Sequence, residues 1–229
     1  RELQVLSKDA TGVAWYPKPD RRGRFDTGTT ISATDADAFA KAVARAQAGD
    51  IIELAAGKYV VERTLIVDRP LTIRSADAAQ RARLEFTRNA LFEIADGGSL
   101  KLVGLDISGK AAPDMAGNSV IRTSRYSMLN NYELELDDVA VGDLDVNHSF
   151  HFFTAAKRST FSNITGHVLV LNNETDDLGL YSAEYITIAD SKFVDVEGTV
   201  ADVYRGGTDE STFGPHFELS GSSLQSVGS

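Results

Sequence analysis

"SLKLVGLDIS" (99–108) and "YELELDDVAV" (132–141) carry one pattern twice. Leu100, Leu102, Leu105 and Ile107 map onto Leu134, Leu136, Val139 and Val141, each 34 residues later. The pattern continues beyond these segments. "FSNITGHV" recurs as "FVDVEGTV", so that Phe161, Ile164, Gly166 and Val168 map onto Phe193, Val196, Gly198 and Val200 at an offset of 32. "ITIADSKFVDV" recurs as "FELSGSSLQSV", taking Ile186, Ile188, Phe193 and Val196 to Phe217, Leu219, Leu224 and Val227 at an offset of 31. Within each segment the apolar residues alternate with period two, as strand residues facing one core do.

Offsets that vary around a constant pattern mean loops of different length set into repeated coils. A coil of this size cannot bury its own apolar face, but a stack of them forms a continuous core. An antiparallel sandwich would not keep the same residue classes in register over three pairs of segments. The expected fold is therefore all-β: a right-handed parallel β-helix. "SATDADAFAKAVARAQAGDIIELAAGKYVV" adds a short N-terminal capping helix near residues 35–48. Ser32 or Thr34 is its expected N-cap, Phe39, Val43 and Ala46 its apolar stripe, and Gly49 its stop. "DIIEL" and "KYVV" follow as strands on either side of an "AAG" turn.

The chain has 229 residues, 42% of them hydrophobic and 24% charged, which is an ordinary globular composition with enough length for a real core. No apolar run approaches the length that spans a bilayer, so no membrane partner is expected. A net charge of −10, from 33 acidic and 23 basic side chains, repels polyanions and argues against nucleic acid. The absence of cysteine removes disulfides and thiol chemistry. "RELQVLSKDA" opens without an initiating Met and reads as a processed or cut end. Residues 1–30, with Pro17, Pro19 and Gly23 close together, read as a linker segment, and 31–229 as one β-helix domain belonging to a larger protein. Val227 is the last inward position, and a solenoid needs a cap or cover beyond such a residue.

Several stretches resemble a known family. "AGDIIELAAGKY" (48–59) is similar to the opening signature of polysaccharide-cleaving β-helix proteins. "GVAWYPK" (12–18), "NNETDDLGLYSAE" (172–184) and "DVYRGGTDESTFGPHFEL" (202–219) resemble the C-terminal β-helix domain of two-domain alginate lyases in polysaccharide lyase family 6, which also contains chondroitinase B. The resemblance implies a secreted or periplasmic protein acting on alginate or a related acidic polysaccharide by β-elimination. It also implies a partner, the N-terminal catalytic β-helix domain, which carries a lysine base and an arginine, with Ca²⁺ at the substrate carboxylate. That lysine–arginine pair has no match here, so no catalytic residue is identifiable and the segment is expected to be accessory and inactive alone. A stand-alone carbohydrate-binding or structural β-helix is the alternative. Its mark would be an exposed aromatic row, for which Tyr126, Tyr132, Tyr181, Tyr185 and Tyr204 are the candidates.

Among basic residues, Lys157 and Arg158 are adjacent inside the repeats, but consecutive strand residues face opposite sides, so they read as a solvated surface pair. His148 and His151 lack a third ligand at zinc spacing, and His167 and His216 read as hydrogen-bonded or surface histidines. The candidate cluster lies elsewhere. The 32-residue offset puts Asn173 one coil from Arg205, and brings "ETDD" (174–177) under "GGTDES" (206–211). Glu174, Asp176, Asp177, Asp209 and Glu210 then crowd around one arginine, and their repulsion demands a cation. Three readings stay open. Arg205 ties the two loops together through bidentate carboxylate bonds; a Ca²⁺ sits among the oxygens, although no EF-hand spacing is present; or Arg205 and Tyr204 touch a sugar carboxylate.

Overall fold

The computed structural model describes residues 24–113, 119–123, 132–144, 148–150, 155–171, 185–203 and 216–228. Its strands form three parallel sheets. The first holds eight: β1 (Thr30–Ala33), β2 (Ile51–Leu54), β5 (Pro70–Ser75), β8 (Ser99–Val103), β11 (Leu134–Asp137), β14 (Ala155–Lys157), β17 (Tyr185–Ala189) and β20 (His216–Ser220). The second holds β3 (Gly57–Val61), β6 (Ala82–Phe86), β9 (Asp106–Ser108), β12 (Ala140–Leu144), β15 (Thr160–Ile164), β18 (Lys192–Val196) and β21 (Ser223–Val227). The third holds β4 (Leu65–Val67), β7 (Ala90–Ile94), β10 (Ser119–Thr123), β13 (His148–Phe150), β16 (His167–Leu171) and β19 (Ala201–Val203). The chain visits the sheets in rotation, which is a three-sided parallel β-helix.

The expected register is observed throughout. Leu100 pairs with Leu134, Ile107 with Val141, Phe161 with Phe193, Ile188 with Leu219 and Val196 with Val227. Stacking in register sets like side chains on like. The Phe161 and Phe193 rings lie 5.1 Å apart and 6° from parallel, both wholly buried. A single apolar cluster runs from Ala33 down the axis to Val200.

Serines supply the polar thread of the first-to-second corner. Ser159 Oγ accepts the Val139 N–H, Ser191 Oγ the Ser159 N–H, and Ser222 Oγ the Ser191 N–H. Each hydroxyl in turn donates to the carbonyl two residues before it, those of Lys157, Ala189 and Ser220. These corner amides, turned away from the strand ladder, are thereby satisfied.

The cap is a helix, α1 (Ala36–Arg45), shorter at its C-terminal end than expected. Its N-cap is Asp35, not Ser32 or Thr34, because Ser32 is committed to β1 opposite Glu53. Asp35 is extended at φ −150°, and its carboxylate accepts the Ala38 N–H at 2.8 Å. The helix stops at Ala46, three residues before Gly49, whose φ of +85° serves the turn into β2. Phe39 meets Tyr59 and Phe92 edge to face, at centroid distances of 6.2 and 6.5 Å. The Tyr59 hydroxyl, 2.9 Å from the carbonyl oxygens of both Ala33 and Ala55, shares its proton between them. Phe39 and Val43 are buried as the stripe requires, so the N-terminal end of the core is closed.

Candidate functional site

The coil corners position the polar chemistry. Between the third and first sheets, Leu171 at the end of β16 pairs with Val203 at the end of β19, and Tyr185 at the start of β17 pairs with His216 at the start of β20. The strand ends that flank residues 172–184 are therefore superposed on those that flank residues 204–215. Asn173, Glu174, Asp176, Asp177, Tyr204, Arg205, Asp209 and Glu210 all lie outside the described residues, as do Tyr126, Tyr181 and His151.

At the first-to-second corner Lys157 and Arg158 form a solvated surface pair, as expected, but without the alternation of an extended strand. They do not face opposite sides: both reach the Asp137 carboxylate, Lys157 Nζ at 3.1 Å from Oδ2 and Arg158 through Nη2 on Oδ1. The reason is backbone geometry. Lys157 ends β14, whereas Arg158 turns into the left-handed region at φ +50°, so period-two alternation stops between them. Gly104, Asp138, Arg158, Asp190 and Gly221, at φ +61°, +58°, +50°, +51° and +57°, repeat this bend coil after coil. Arg81 joins the corner from an earlier coil, with Nη2 2.6 Å from Asp138 Oδ1 and Nη1 3.4 Å from Asp106 Oδ1. Burial works against the Arg81 charge, but Asp138 and Asp106 together hold the guanidinium more firmly protonated than usual.

A second left-handed column closes the strands of the second sheet: Asp143, Asn163, Asp195 and Ser226, at φ +57°, +53°, +54° and +53°. Asx residues tolerate this conformation best among non-glycines. Asn163, Thr165, Asp195, Glu197 and Ser226 line a shallow polar groove along it. Asn163 Nδ2 donates to Asp143 Oδ1 at 3.0 Å, and Ser108 Oγ donates to Asp143 Oδ2 at 2.9 Å. The Asn163 and Ser108 hydrogen bonds hold the Asp143 carboxyl below its ordinary range, outweighing partial burial.

A pH test follows from this column. A carboxylate depressed in the folded state contributes stability that is present above the unfolded pKa, about 4, and lost as pH falls through the folded value. Asn163→Asp keeps the backbone preference but places a third carboxylate between Asp143 and Asp195, where like charge raises the folded pKa. The variant should lose about 1 kcal/mol or less at neutral pH, less still in high salt, and recover on acidification towards pH 4. Melting temperatures of parent and variant between neutral and mildly acidic pH check this. Parallel curves would mean that the column carries no charge coupling.

His167 is hydrogen-bonded, with Nδ1 accepting the Thr199 N–H at 3.0 Å and lying 2.8 Å from Thr199 Oγ1. Tyr132 packs against the core, and burial pushes its hydroxyl well above the usual tyrosine range. Among the described residues no three or more histidine and carboxylate side chains gather closely enough to hold a metal ion. Asp137, Arg81 and the Asp143 column were not singled out in the sequence. The signal that finds Asp137 and the Asp143 column is the 20-residue offset of the shortest coil, which takes Asp137 to Lys157 and Leu144 to Ile164.

No protein-family profile and no curated protein matches the chain. Solved structures do. The PL6 family alginate lyase AlyGC superposes with a TM-score of 0.80 at 41% identity, and a single-residue variant of it with 0.82 at 39%. Each match covers 95% of this chain and 31% of the other. An alginate lyase from Paenibacillus sp. str. FPU-7, at 18% identity and a TM-score of 0.50, shares the fold over 75% of this chain and 68% of its own. The chain thus resembles, along nearly its whole length, one part of a PL6 family alginate lyase, spanning about a third of that enzyme's length.

Proposed function

We propose that the chain is the C-terminal β-helix domain of an alginate lyase of the PL6 family, secreted or periplasmic, and accessory to a catalytic N-terminal β-helix. The observation that carries this reading is the match at 39–41% identity over 95% of the chain to about a third of AlyGC. In β-elimination a base takes the C5 proton of a uronate while the C4 oxygen departs, and the C6 carboxylate must be neutralised for that proton to be acidic. Lys157 and Arg158, the adjacent basic pair, are engaged with Asp137 on a half-exposed corner and do not make up such a site. The chain's role is to stabilise the catalytic domain and flank its substrate groove. A −10 domain suits flanking better than primary binding of an anionic polymer.

Incubation with alginate, polymannuronate and polyguluronate, followed by ultraviolet absorbance of the unsaturated product, tests this. The chain alone should show no turnover. Robust turnover that disappears in Arg205→Ala would place the chemistry in this domain instead.

Within this reading, Arg205 ties two coils together. The supporting observation is the register: Leu171 pairs with Val203, two residues before Asn173 and Arg205. If the repeat continues at the same offset of 32 beyond that pair, Arg205 would lie over Asn173 and within reach of Glu174, Asp177, Asp209 or Glu210. Arg205→Ala should then destabilise by about 1–4 kcal/mol. Arg205→Lys should recover part of the loss, since an ammonium lacks the planar fork. Melts with and without alginate oligomers and Ca²⁺ separate the roles. An Arg205→Ala protein that melts like the parent and loses only oligomer binding would assign Arg205, with Tyr204, to sugar contact. A melting temperature that rises with Ca²⁺ only while the carboxylates are intact would assign the cluster to the ion.

A further inference from the structure

Outward positions of a sheet face water unless something lies on them. In β5, Leu71 and Ile73 belong to the core, so Thr72 between them points out, yet it is 1% exposed. In β8, Leu100 and Leu102 point in, so Ser99 and Lys101 point out, and Ser99 is 0% exposed. The cover is the chain before β1. Arg24 Nη1 donates to Ser99 Oγ at 3.0 Å, and Lys101 Nζ lies 2.5 Å from Asp26 Oδ2. The Thr27 and Gly28 N–H groups both donate to the Gly49 carbonyl, at 3.1 and 2.9 Å. Residues 24–28 thus lie as a strap across the outside of the first sheet, from β8 past β5 to the turn before β2.

Beneath Asp26 the floor is polar and cationic. Thr72 and Lys101 are register partners, and Arg74 stands two residues along β5, its Nε and Nη2 holding Glu53 at 3.0 and 2.7 Å. The Thr72 hydroxyl is buried and makes no well-formed hydrogen bond among the described residues, yet lies close enough to the Asp26 carboxylate to favour its ionised form. Burial works against the Asp26 charge, but Lys101, Thr72 and Arg74 together hold its carboxyl below the ordinary range. An ammonium, a hydroxyl and a guanidinium gathered at one point are a donor set for a carboxylate, and Asp26 leaves the hydroxyl unsatisfied. Glu53, held by Arg74, and Glu135, the register partner of Lys101 in β11, border the place, so it admits one carboxylate and repels a second.

We propose that Thr72, Arg74 and Lys101 form a binding site for the carboxylate of a uronate, with Asp26 as a cis occupant that an acidic oligosaccharide displaces when the strap lifts. The uronate rests on the reading of the chain as part of an alginate lyase, whereas the carboxylate rests on the donor set alone. The strap is suited to lifting: Phe25 is only partly buried and is not among the residues packed on the core, and the side chain of Asp26 remains 39% exposed. A tethered carboxylate competes at a high local concentration, which a single free uronate cannot match. An oligomer, with a carboxylate on every sugar, presents the same group many times over.

The experiment empties the site from within. Asp26→Asn removes the charge and keeps the left-handed bend, φ +61°, that asparagine tolerates. Titration calorimetry at low salt then compares alginate oligomers and acetate as ligands. The variant should bind the oligomers about tenfold tighter than the parent or more, because a competing occupant is gone, and the gain should shrink in high salt. Arg24→Ala, which loosens the strap at Ser99, should show a smaller gain, and Asp26→Asn combined with Lys101→Met none. Asp37→Asn frees Lys41 on α1 in the same way but has no site around it, so it should show no gain. An equal gain there would mean that any freed lysine suffices, and would overturn the proposal. An Asp26→Asn protein that melts lower and binds no better overturns it too, leaving Asp26 and Lys101 as a brace. Acetate binding that needs Lys101, without oligomer binding, upholds the carboxylate site and rejects the uronate, so the site and the alginate-lyase reading fail separately.

Discussion

Phe193→Ala should lower stability by about 3–5 kcal/mol, among the largest losses available to a single substitution in this chain. Phe193 is wholly buried and stacked on Phe161, and its other side is covered by Leu224, itself half exposed. Removing the ring opens a void between two coils. The parallel ladder fixes their spacing at about 4.8 Å, so the coils cannot close together to fill it. At about 2–4 °C per kcal/mol for a protein of this size, the melting temperature should fall by roughly 10 °C, read by calorimetry or circular dichroism. Phe193→Leu, which keeps most of the volume, should cost less than about 1.5 kcal/mol. An alanine variant within about 1 kcal/mol of the parent would show that the stacked rings are not part of the stable core.

Gly198→Ala should be nearly as damaging for the opposite reason. A Cβ at Gly198 would press far inside van der Waals contact with the Gly166 carbonyl oxygen and sit 2.9 Å from the His167 nitrogen. Both are backbone atoms of the neighbouring coil, so no side chain can swing aside. Relief requires the coils to part beside the bonds from the Val168 and Leu169 N–H groups to the Thr199 and Val200 carbonyls. A loss of about 2–4 kcal/mol is expected. The His167–Thr199 hydrogen bond should weaken with it, visible as faster exchange of the Thr199 amide. A substitution that melts like the parent would mean that this corner opens at little cost.

Phe193 and Gly198 were both legible in the sequence, and for one reason. Coils that stack in register repeat a residue class wherever packing leaves no choice, so Phe161 foretells Phe193 and Gly166 foretells Gly198. The cap was legible in kind but not in detail. Phe39 and Val43 mark the buried stripe, but that the N-cap is Asp35, and neither Ser32 nor Thr34, depended on where β1 ended, which spacing alone does not fix. The charged corners were not legible. Offsets of 34, 32 and 31 announce themselves through long matching segments, whereas the 20-residue coil between Leu144 and Ile164 shares little beyond Val141 and Phe161 with its neighbours. Without that offset, Asp137 and Lys157 look unrelated. The bend at Arg158 follows from the corner's geometry, as shown by Gly104, Asp138 and Asp190 at equivalent places, and not from any property of arginine.

The serine thread of the first-to-second corner gives the molecule a direction of unravelling. Ser159 serves the amide of Val139, Ser191 that of Ser159, and Ser222 that of Ser191, so each turn relies on the one after it. Peeling the last turn away strands the Ser191 amide, and losing that turn strands Ser159 in its place. Nothing in this thread makes a turn depend on the one before it. Loss of the turn that carries Ser222 therefore reaches one turn deeper than the missing residues themselves, and a Ser222→Ala variant should show faster exchange of the Ser191 amide than of the Ser159 or Val139 amides.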